Sequence, residues 1–358
     1  MFHFSFPLFP ADGGIMDIDT PFCPHLSGCT RRHNDPATLA GLTTRIDSAG
    51  AHPYLLDHVF GGEVFVPATM VMELFAEAAL WFASKTLGKA GLGVVALRQF
   101  VIERGLTMHP GNALEARILL HGASPAANGY SLRMEIRSAR ANAQGKAVGD
   151  RRNAVCTVVL GTVSFDPVSV PRPPERFRAY GFQRDELYRI YFPSLGPKFH
   201  TQVGSFEVSE SRRYFTGRYD CQDLEPTFLC GQAAPFALSP LGYDTCLQCT
   251  VLLSRIMRTV GRLPIGCDEL FVHRRHPARG ECEVSVLCNQ IDDSVMSADL
   301  IAIDCDGRPL LSARNVRVQY APVNQINATY RDEWEFKRIL GEHETGRRET
   351  DRPANGPP

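Results

Sequence analysis

The sequence predicts an α+β fold in which one unit is used twice, each unit an antiparallel sheet curved around a single long helix. Three observations predict it. Two long segments, 67–86 and 240–260, carry apolar residues at helical spacing. Each is accompanied by short strand-like pieces separated by polar or glycine-bearing breaks. Between the two sets lie Pro167, Pro171, Pro173 and Pro174, a cluster that neither continues a strand nor sits inside a helix.

The totals agree with such a chain. Its 358 residues leave room for two or three units of the usual size, about 100–200 residues each. A hydrophobic content of 44% beside 22% charged residues is ordinary for a protein that buries a core. The formal net charge of −1 supplies no field that would draw nucleic acid or an anionic membrane, and neither is predicted as a partner. No apolar run approaches the ~18 residues of a spanning helix. Met1–Pro10 is apolar but short, lacks a basic start and contains Pro7 and Pro10, so it does not read as a secretory signal. Eleven scattered cysteines, an odd number, then read as free thiols in a reducing cytoplasm. With its own Met1 and a polar tail, the chain reads as a free-standing protein.

Taken in order, residues 1–44 form a loop-rich lead. Cys23, His25, Cys29 and His33 lie there, but their spacing matches no usual zinc pattern, and no metal is predicted. The first unit spans 45–166. Val71, Leu74, Phe75, Ala78, Ala79 and Phe82 put one wide apolar face on its helix, which Gly88, Gly91 and Gly93 stop. Strands follow at Val94–Ile102, Leu114–Leu120, Leu132–Ile136 and Val155–Phe165, with exposed loops expected at His121–Gly129 and Ala139–Gly149. A proline-rich linker occupies 167–182. The second unit, 183–322, opens with a short helix at Asp185–Tyr191 and strands at Thr201–Val208 and Arg213–Tyr219. Its long helix, Pro240–Val260, precedes strands at Glu269–His273, Cys282–Asn289, Ala298–Asp304 and Leu310–Tyr320, with a tight turn at Asp306-Gly307. Residues 323–358 read as a mostly disordered tail, with at most a turn or two around Glu333–Leu340.

Three stretches carry chemistry. In the first, His58, Gly62 and Pro67 place a titratable ring on a tight turn that feeds a helix; Gly62 allows close backbone approach and Pro67 suits a first helical position. The second is Leu195-Gly196-Pro197-Lys198-Phe199-His200. In the third, Ser239 is a candidate N-cap before Pro240, and Asp244 and Gln248, four apart, share a helical face with apolar Leu241, Val251 and Leu252. A carboxylate on that face must be protonated or hydrogen-bonded, and Gln248 can supply the bond.

Together these stretches resemble the HxxxGxxxxP, YGPxF and DxxxQ motifs of polyketide synthase dehydratase domains, a family with the double hot-dog fold. Leu263-Pro264-Ile265-Gly266, leading into Asp268–His273, is similar to a late strand of the same domains, and the resemblance covers about residues 45–322. Two positions depart from the pattern: Leu195 replaces the motif tyrosine, for which Tyr191 is the candidate substitute, and Ala68 stands where glycine commonly follows the proline.

The resemblance implies that His58 and Asp244 work as a catalytic pair across the boundary between the two hot-dog halves. Gln248, Pro67, Gly196, Pro197 and Phe199 would support them, and the backbone N–H of Gly62 would bond a thioester carbonyl. The implied reaction removes water from a 3-hydroxyacyl thioester on an acyl carrier protein. It uses no metal or nicotinamide, and the phosphopantetheine arm arrives with the substrate. A homodimer is left open. A histidine with an ordinary pKa of about 6.5 suits a base. An aspartic acid at about 3.9 becomes a proton donor only if burial raises it against the pull of the helix N-terminus. If burial falls short, the aspartate orients the hydroxyl and the histidinium returns the proton. A same-fold cyclase or double-bond isomerase uses the same pair, and a non-catalytic acyl-binding protein of this fold is the alternative from another class. Of the remaining candidates, His52 reads as structural, His200 and His273 as surface or rim, and Cys246 and Cys249 as core. Arg212, Arg213, Arg274 and Arg275 read as a solvated face or as patches for an acidic carrier.

Overall fold

Apolar periodicity alone places the two long helices, and the computed structural model shows what they hold together. It describes residues 30–31, 39–50, 52–89, 91–126, 129–141, 147–162, 164–221, 236–258, 262–277, 279–320 and 333–345. The first half contains β1 (Thr30–Arg31), β2 (Ala40–Asp47), β3 (Val59–Phe60), β4 (Glu63–Phe65), α1 (Ala68–Thr86), β5 (Gly93–Ile102), β6 (Thr107–Met108), β7 (Ala113–Ala126), β8 (Gly129–Ala141) and β9 (Ala147–Gly161). The second contains β10 (Phe177–Gly181), α2 (Arg184–Tyr191), β11 (Gln202–Ser209), β12 (Tyr214–Cys221), α3 (Pro240–Arg258), β13 (Arg262–Val272), β14 (Gly280–Ile291), β15 (Val295–Ile303) and β16 (Pro309–Tyr320), followed by α4 (Glu333–Glu342).

The fold is a double hot-dog. Its antiparallel strands run in the order β1-β2-β7-β8-β9-β5-β13-β16-β15-β14-β12-β11-β10, with β3, β4 and β6 in a small separate sheet. Both long helices are buried nearly all round, as central helices must be, and they lie against each other. Phe75 and Phe82 of α1 are fully enclosed. Enclosing a side chain of this size contributes about 1.5–3 kcal/mol.

The two sheets join edge to edge where β5 pairs with β13, in the register Cys267↔Phe100 and Leu270↔Leu97. This seam makes one continuous sheet of the two halves. The proline-rich linker crosses the sheet's outer face over it. There the Val168 N–H donates to Ser312 Oγ at 3.0 Å, and the Val168 side chain packs with Val95, Ala96, Val159 and Phe271.

Several stretches are more ordered than the sequence suggests. In the joints read as loops at His121–Gly129 and Ala139–Gly149, residues 121–126, 129, 139–141 and 147–149 are strand, because β7, β8 and β9 form long hairpins whose arms reach into them. Gly129 marks close backbone approach: a Cβ there would fall 1.8 Å from the Leu160 carbonyl oxygen. The lead ends in β2, paired with β7, and the linker ends in β10, paired with β11. The tail is corrected in the same way. Its residues 333–345 fold back as α4 and a short return along β10, with the Gly181 N–H donating to the His343 carbonyl at 2.9 Å. The His343 ring stacks on Phe182 at 3.9 Å. A short polar helix carries little periodic signal, so packing rather than pattern orders it.

At the seam, a Cβ on Gly266 would lie 2.2 Å from the Phe100 carbonyl oxygen. Gly266→Ala is expected to lower unfolding free energy by about 2–4 kcal/mol in denaturant titration. Gly122→Ala, with nothing within 4 Å of its Cβ, should change it by less than about 1 kcal/mol.

Candidate active site

His58 is held from both sides of a hairpin. Gly61 and Gly62 have φ of 59° and 84°, the pair of positive values that a tight β3–β4 turn requires. That turn brings Phe65 back beside His58: the Phe65 N–H donates to the His58 carbonyl at 3.0 Å, and His58 Nδ1 lies 3.0 Å from the Phe65 carbonyl oxygen. A carbonyl only accepts, so Nδ1 carries the proton and Nε2 keeps its lone pair. Phe60 stands edge-on to the ring at 4.8 Å and Phe199 lies at 5.4 Å. This apolar enclosure lowers the pKa of His58 to about 4, against a smaller opposing effect of the Phe65 hydrogen bond. The ring is neutral at physiological pH.

Asp244 sits in the second turn of α3 and is buried. Gln248 Nε2 donates to its Oδ2 at 2.7 Å, and Thr69 of α1 donates to Oδ1 at 3.5 Å. Burial raises the carboxyl pKa to about 6, outweighing both hydrogen bonds. Gln248 is itself fully determined. Its Nε2 also donates to the Phe199 carbonyl at 3.0 Å, while its Oε1 accepts from Tyr188 Oη at 2.7 Å and from Gln202 Nε2 at 3.2 Å. Tyr188 Oη in turn accepts the Thr201 and Gln202 N–H groups at 3.0 and 3.1 Å. A chain of bonds thus runs from backbone to carboxylate.

The 194–199 loop ties the two residues together. Leu195 bridges His58 as an isolated β-partner, and the Val59 N–H donates to the Ser194 carbonyl at 3.3 Å. The Gly196 N–H donates to the Asp57 carbonyl at 2.7 Å, and a Cβ on Gly196 would fall 2.4 Å from Asp57 Oδ1. Pro197–Phe199 form one 3-10 turn that aims Phe199 into the core. Pro67 immediately precedes α1 instead of opening it, its carbonyl accepting the Met70 and Val71 N–H groups at 3.0 Å each.

His58, Asp244 and Gln248 all line one cavity of about 240 Å³, with Leu195, Leu247 and Val251 among its apolar walls. Gly62 is at the exposed hairpin tip, where its positive φ serves the turn. Tyr191 packs edge-on against Phe182 in the core at 5.6 Å. The tyrosine that enters the site is Tyr188, one turn earlier on the same buried face of α2. Tyr188, Thr69 and Gln202 were not singled out from sequence. Tyr188 lies one helical turn before Tyr191, a spacing that could have pointed to it, and nothing local distinguishes Thr69 or Gln202.

Other readings sort clearly. His52 Nδ1 accepts the Asp47 N–H at 3.1 Å, a structural role. His200 is half-buried, as a rim residue would be: its ring stacks on Tyr188 at 3.9 Å, and its Nε2 lies 2.9 Å from the Leu195 carbonyl oxygen. His273 lies between Ser164 and Ser312 on the outer face. Cys246 and Cys249 are buried in the core. Arg213, just before β12, donates to the Cys288 and Asn289 carbonyls, whereas Arg274 follows β13. Cys23, His25, Cys29 and His33 lie outside the described residues.

Two family models match the chain: polyketide synthase dehydratase domain over residues 32–139, and polyketide synthase dehydratase N-terminal domain over residues 196–325. The chain belongs to the polyketide synthase dehydratase family. Solved dehydratase structures share its fold. GphF dehydratase 1 is 21% identical at a TM-score of 0.61, with 84% of this chain and 100% of that chain covered. The dehydratase domain from the CurF module of curacin polyketide synthase is 16% identical at 0.63, with the same coverage. The dehydratase domain of PpsC from Mycobacterium tuberculosis, in complex with C12:1-CoA, is 18% identical at 0.57, again with 84% and 100% covered. No curated protein matches the sequence.

The raised carboxyl of this dehydratase has a stability consequence. A folded pKa of about 6 against an ordinary 3.8 means that folding favours the protonated form. Stability therefore falls as pH rises from about 4 through 6, and the penalty is fully present above that. With 1.36 kcal/mol per pKa unit, it is on the order of 3 kcal/mol. Asp244→Asn removes it, so the Tm gain of that variant should be larger at pH 7.5 than at pH 4.5. A gain independent of pH would contradict the assignment.

Proposed function

We propose that the protein eliminates water from 3-hydroxyacyl thioesters carried on an acyl carrier protein, giving 2-enoyl thioesters during polyketide assembly. One observation carries the reading: a neutral histidine with a free Nε2 and a carboxyl group that holds its proton to about pH 6 face the same apolar cavity. Ordinary values would leave the carboxyl ionised well below pH 6 and the imidazole mostly charged there. Burial reverses both and leaves a base beside an acid.

In the elimination, His58 Nε2 takes the proton from C2. The electron pair left behind forms the C2–C3 double bond as the C3–O bond breaks. Asp244 protonates the departing hydroxyl, which leaves as water. Gln248 Nε2 donates to Oδ2 at 2.7 Å, whereas Thr69 donates to Oδ1 at the longer 3.5 Å, so the transferable proton is assigned to Oδ1. Afterwards the histidinium and the carboxylate exchange a proton with solvent to reset the pair. The products are no more oxidised than the reactant, so acid and base suffice and the reading calls for no metal or nicotinamide. The phosphopantetheine arm belongs to the substrate. Each half of one chain contributes one member of the pair, so a homodimer is compatible but not required. The reading keeps the protein in the cytoplasm with its carrier.

The direct test is incubation with a 3-hydroxyacyl group on a carrier or pantetheine mimic, following loss of one water by mass. His58→Ala and Asp244→Asn should each lower turnover by about 10²–10⁴, and Gln248→Ala by less, with folding retained. In the wild type, kcat/KM should rise through pH ~4, as the base becomes neutral, and fall through pH ~6, as the acid ionises. If Asp244→Asn keeps wild-type turnover, the histidine carries both proton transfers and Asp244 only positions substrate. A shifted double bond or a closed ring without loss of water would overturn the dehydratase reading.

A further inference from the structure

β12 and β14 run antiparallel with Tyr219 opposite Cys282 and Cys221 opposite Gly280, so Cys221 and Cys282 are diagonal neighbours on one face of the sheet. Gly280 has no side chain to fill the place across from Cys221, and the Cys221 sulfur reaches toward Cys282 instead. The two Sγ atoms lie 3.2 Å apart, and both cysteines are free. Cys221, the last residue of β12, is half-buried, and Cys282 is buried. A hydroxyl joins the pair. His276 Nε2 lies 2.8 Å from Tyr219 Oη and can supply the proton that leaves the hydroxyl free to donate to sulfur. The bond from the Cys221 thiol, together with that from Tyr219, lowers the pKa of Cys282 despite its burial, and the same contact raises Cys221. By contrast, burial pushes the thiols of Cys156, Cys246, Cys249 and Cys267 up, which leaves them inert.

We propose that Cys221 and Cys282 form a redox-active dithiol, a modification site that a peroxide converts into a cross-strand disulfide. One sulfur, as thiolate, attacks a peroxide oxygen. The O–O bond breaks, a sulfenic acid forms, and the departing hydroxide takes up the proton that the thiol gave up. The partner sulfur then attacks the sulfenyl sulfur, the S–S bond forms, and the sulfenic oxygen leaves as water with the partner's proton. Two thiols and one hydrogen peroxide thus become one disulfide and two waters, with the two electrons passing from sulfur to peroxide. Closing the contact to the usual bond length of about 2.0 Å shortens it by about 1.2 Å. A diagonal pair requires the strands to give slightly, and this pair sits where the β12–β14 ladder ends. The two cysteines are 61 residues apart, so their bond restricts the unfolded chain and stabilises the folded one.

The test treats the full chain, reduced and freed of reductant, with equimolar hydrogen peroxide. Remaining thiols are then alkylated under denaturing conditions and the peptides mapped by mass. The wild type should take up two fewer alkyl groups than the eleven of the reduced chain, with one new cross-link joining the Cys221 and Cys282 peptides. A dithiol reductant should restore all eleven. The thermal midpoint of the oxidised protein should exceed that of the reduced protein by several degrees. Cys221→Ser should lose both the cross-link and the rise, and Cys305→Ser, which removes an exposed thiol, should change neither. Oxidation without this cross-link would overturn the proposal, as would a cross-link from either cysteine to a third such as Cys230 or Cys246. The same loss of thiols in Cys221→Ser as in the wild type would overturn it too. Should that variant fail to fold, the wild-type cross-link map decides on its own.

Discussion

The pairing of β5 with β13 is the contact on which everything else in this molecule depends. Each half carries its own helix and its own sheet, and neither holds a complete site. Hydrogen bonds between the two inner strand edges bring α1 against α3, and with them Thr69 against Asp244. The 194–199 loop then reaches across to the His58 segment through Ser194, Leu195 and Gly196. A second tie is buried in the same region: the Glu73 carboxylate of α1 accepts the N–H groups of Ala237 and Leu238, just before α3 begins. Hydrogen bonds to a charged group are among the stronger ones a fold can use.

Burial at this junction sets the chemistry. The same desolvation acts on two groups of opposite charge type, lowering the histidine and raising the aspartic acid. Neither effect needs a third charged residue. What the fold adds is orientation: the Phe65 carbonyl fixes the imidazole tautomer, and the Tyr188–Gln248 bonds fix the carboxylate. Ionising Asp244 in place is unfavourable, so the site is less stable above pH 6 than an amide in its position would be.

Much of this was legible in the sequence, for reasons particular to each residue. His58, Asp244 and Gln248 stand at motif spacings on a turn and a helix, where local geometry determines which way they point. Gly196 and Pro197 were legible because turns constrain residue type strongly. Tyr191 was the candidate substitute for the motif tyrosine, whereas Tyr188, one turn earlier on α2, is the one that bonds Gln248, and only tertiary packing separates the two. Glycine suits both tight turns and close approach, and the φ of 84° at Gly62 meets the first of these. The continuous sheet was not legible, because β5 and β13 are distant in sequence and strand edges carry no mark of their partners. The long hairpin arms of β7, β8 and β9 escaped for another reason. Their Gly, Ala and Ser residues read as loop, while cross-strand pairing holds them extended.

The account rests on one physical quantity more than any other, the proton affinity of Asp244 in the folded protein. Selective ¹³C labelling of aspartate, with Asp244→Asn used to assign the signal, allows the carboxyl to be titrated directly by NMR. A midpoint near 6, well above the ordinary 3.8, is the predicted result. A midpoint at or below 3.8 would leave no proton to donate at working pH and would contradict the proposed division of labour between Asp244 and His58.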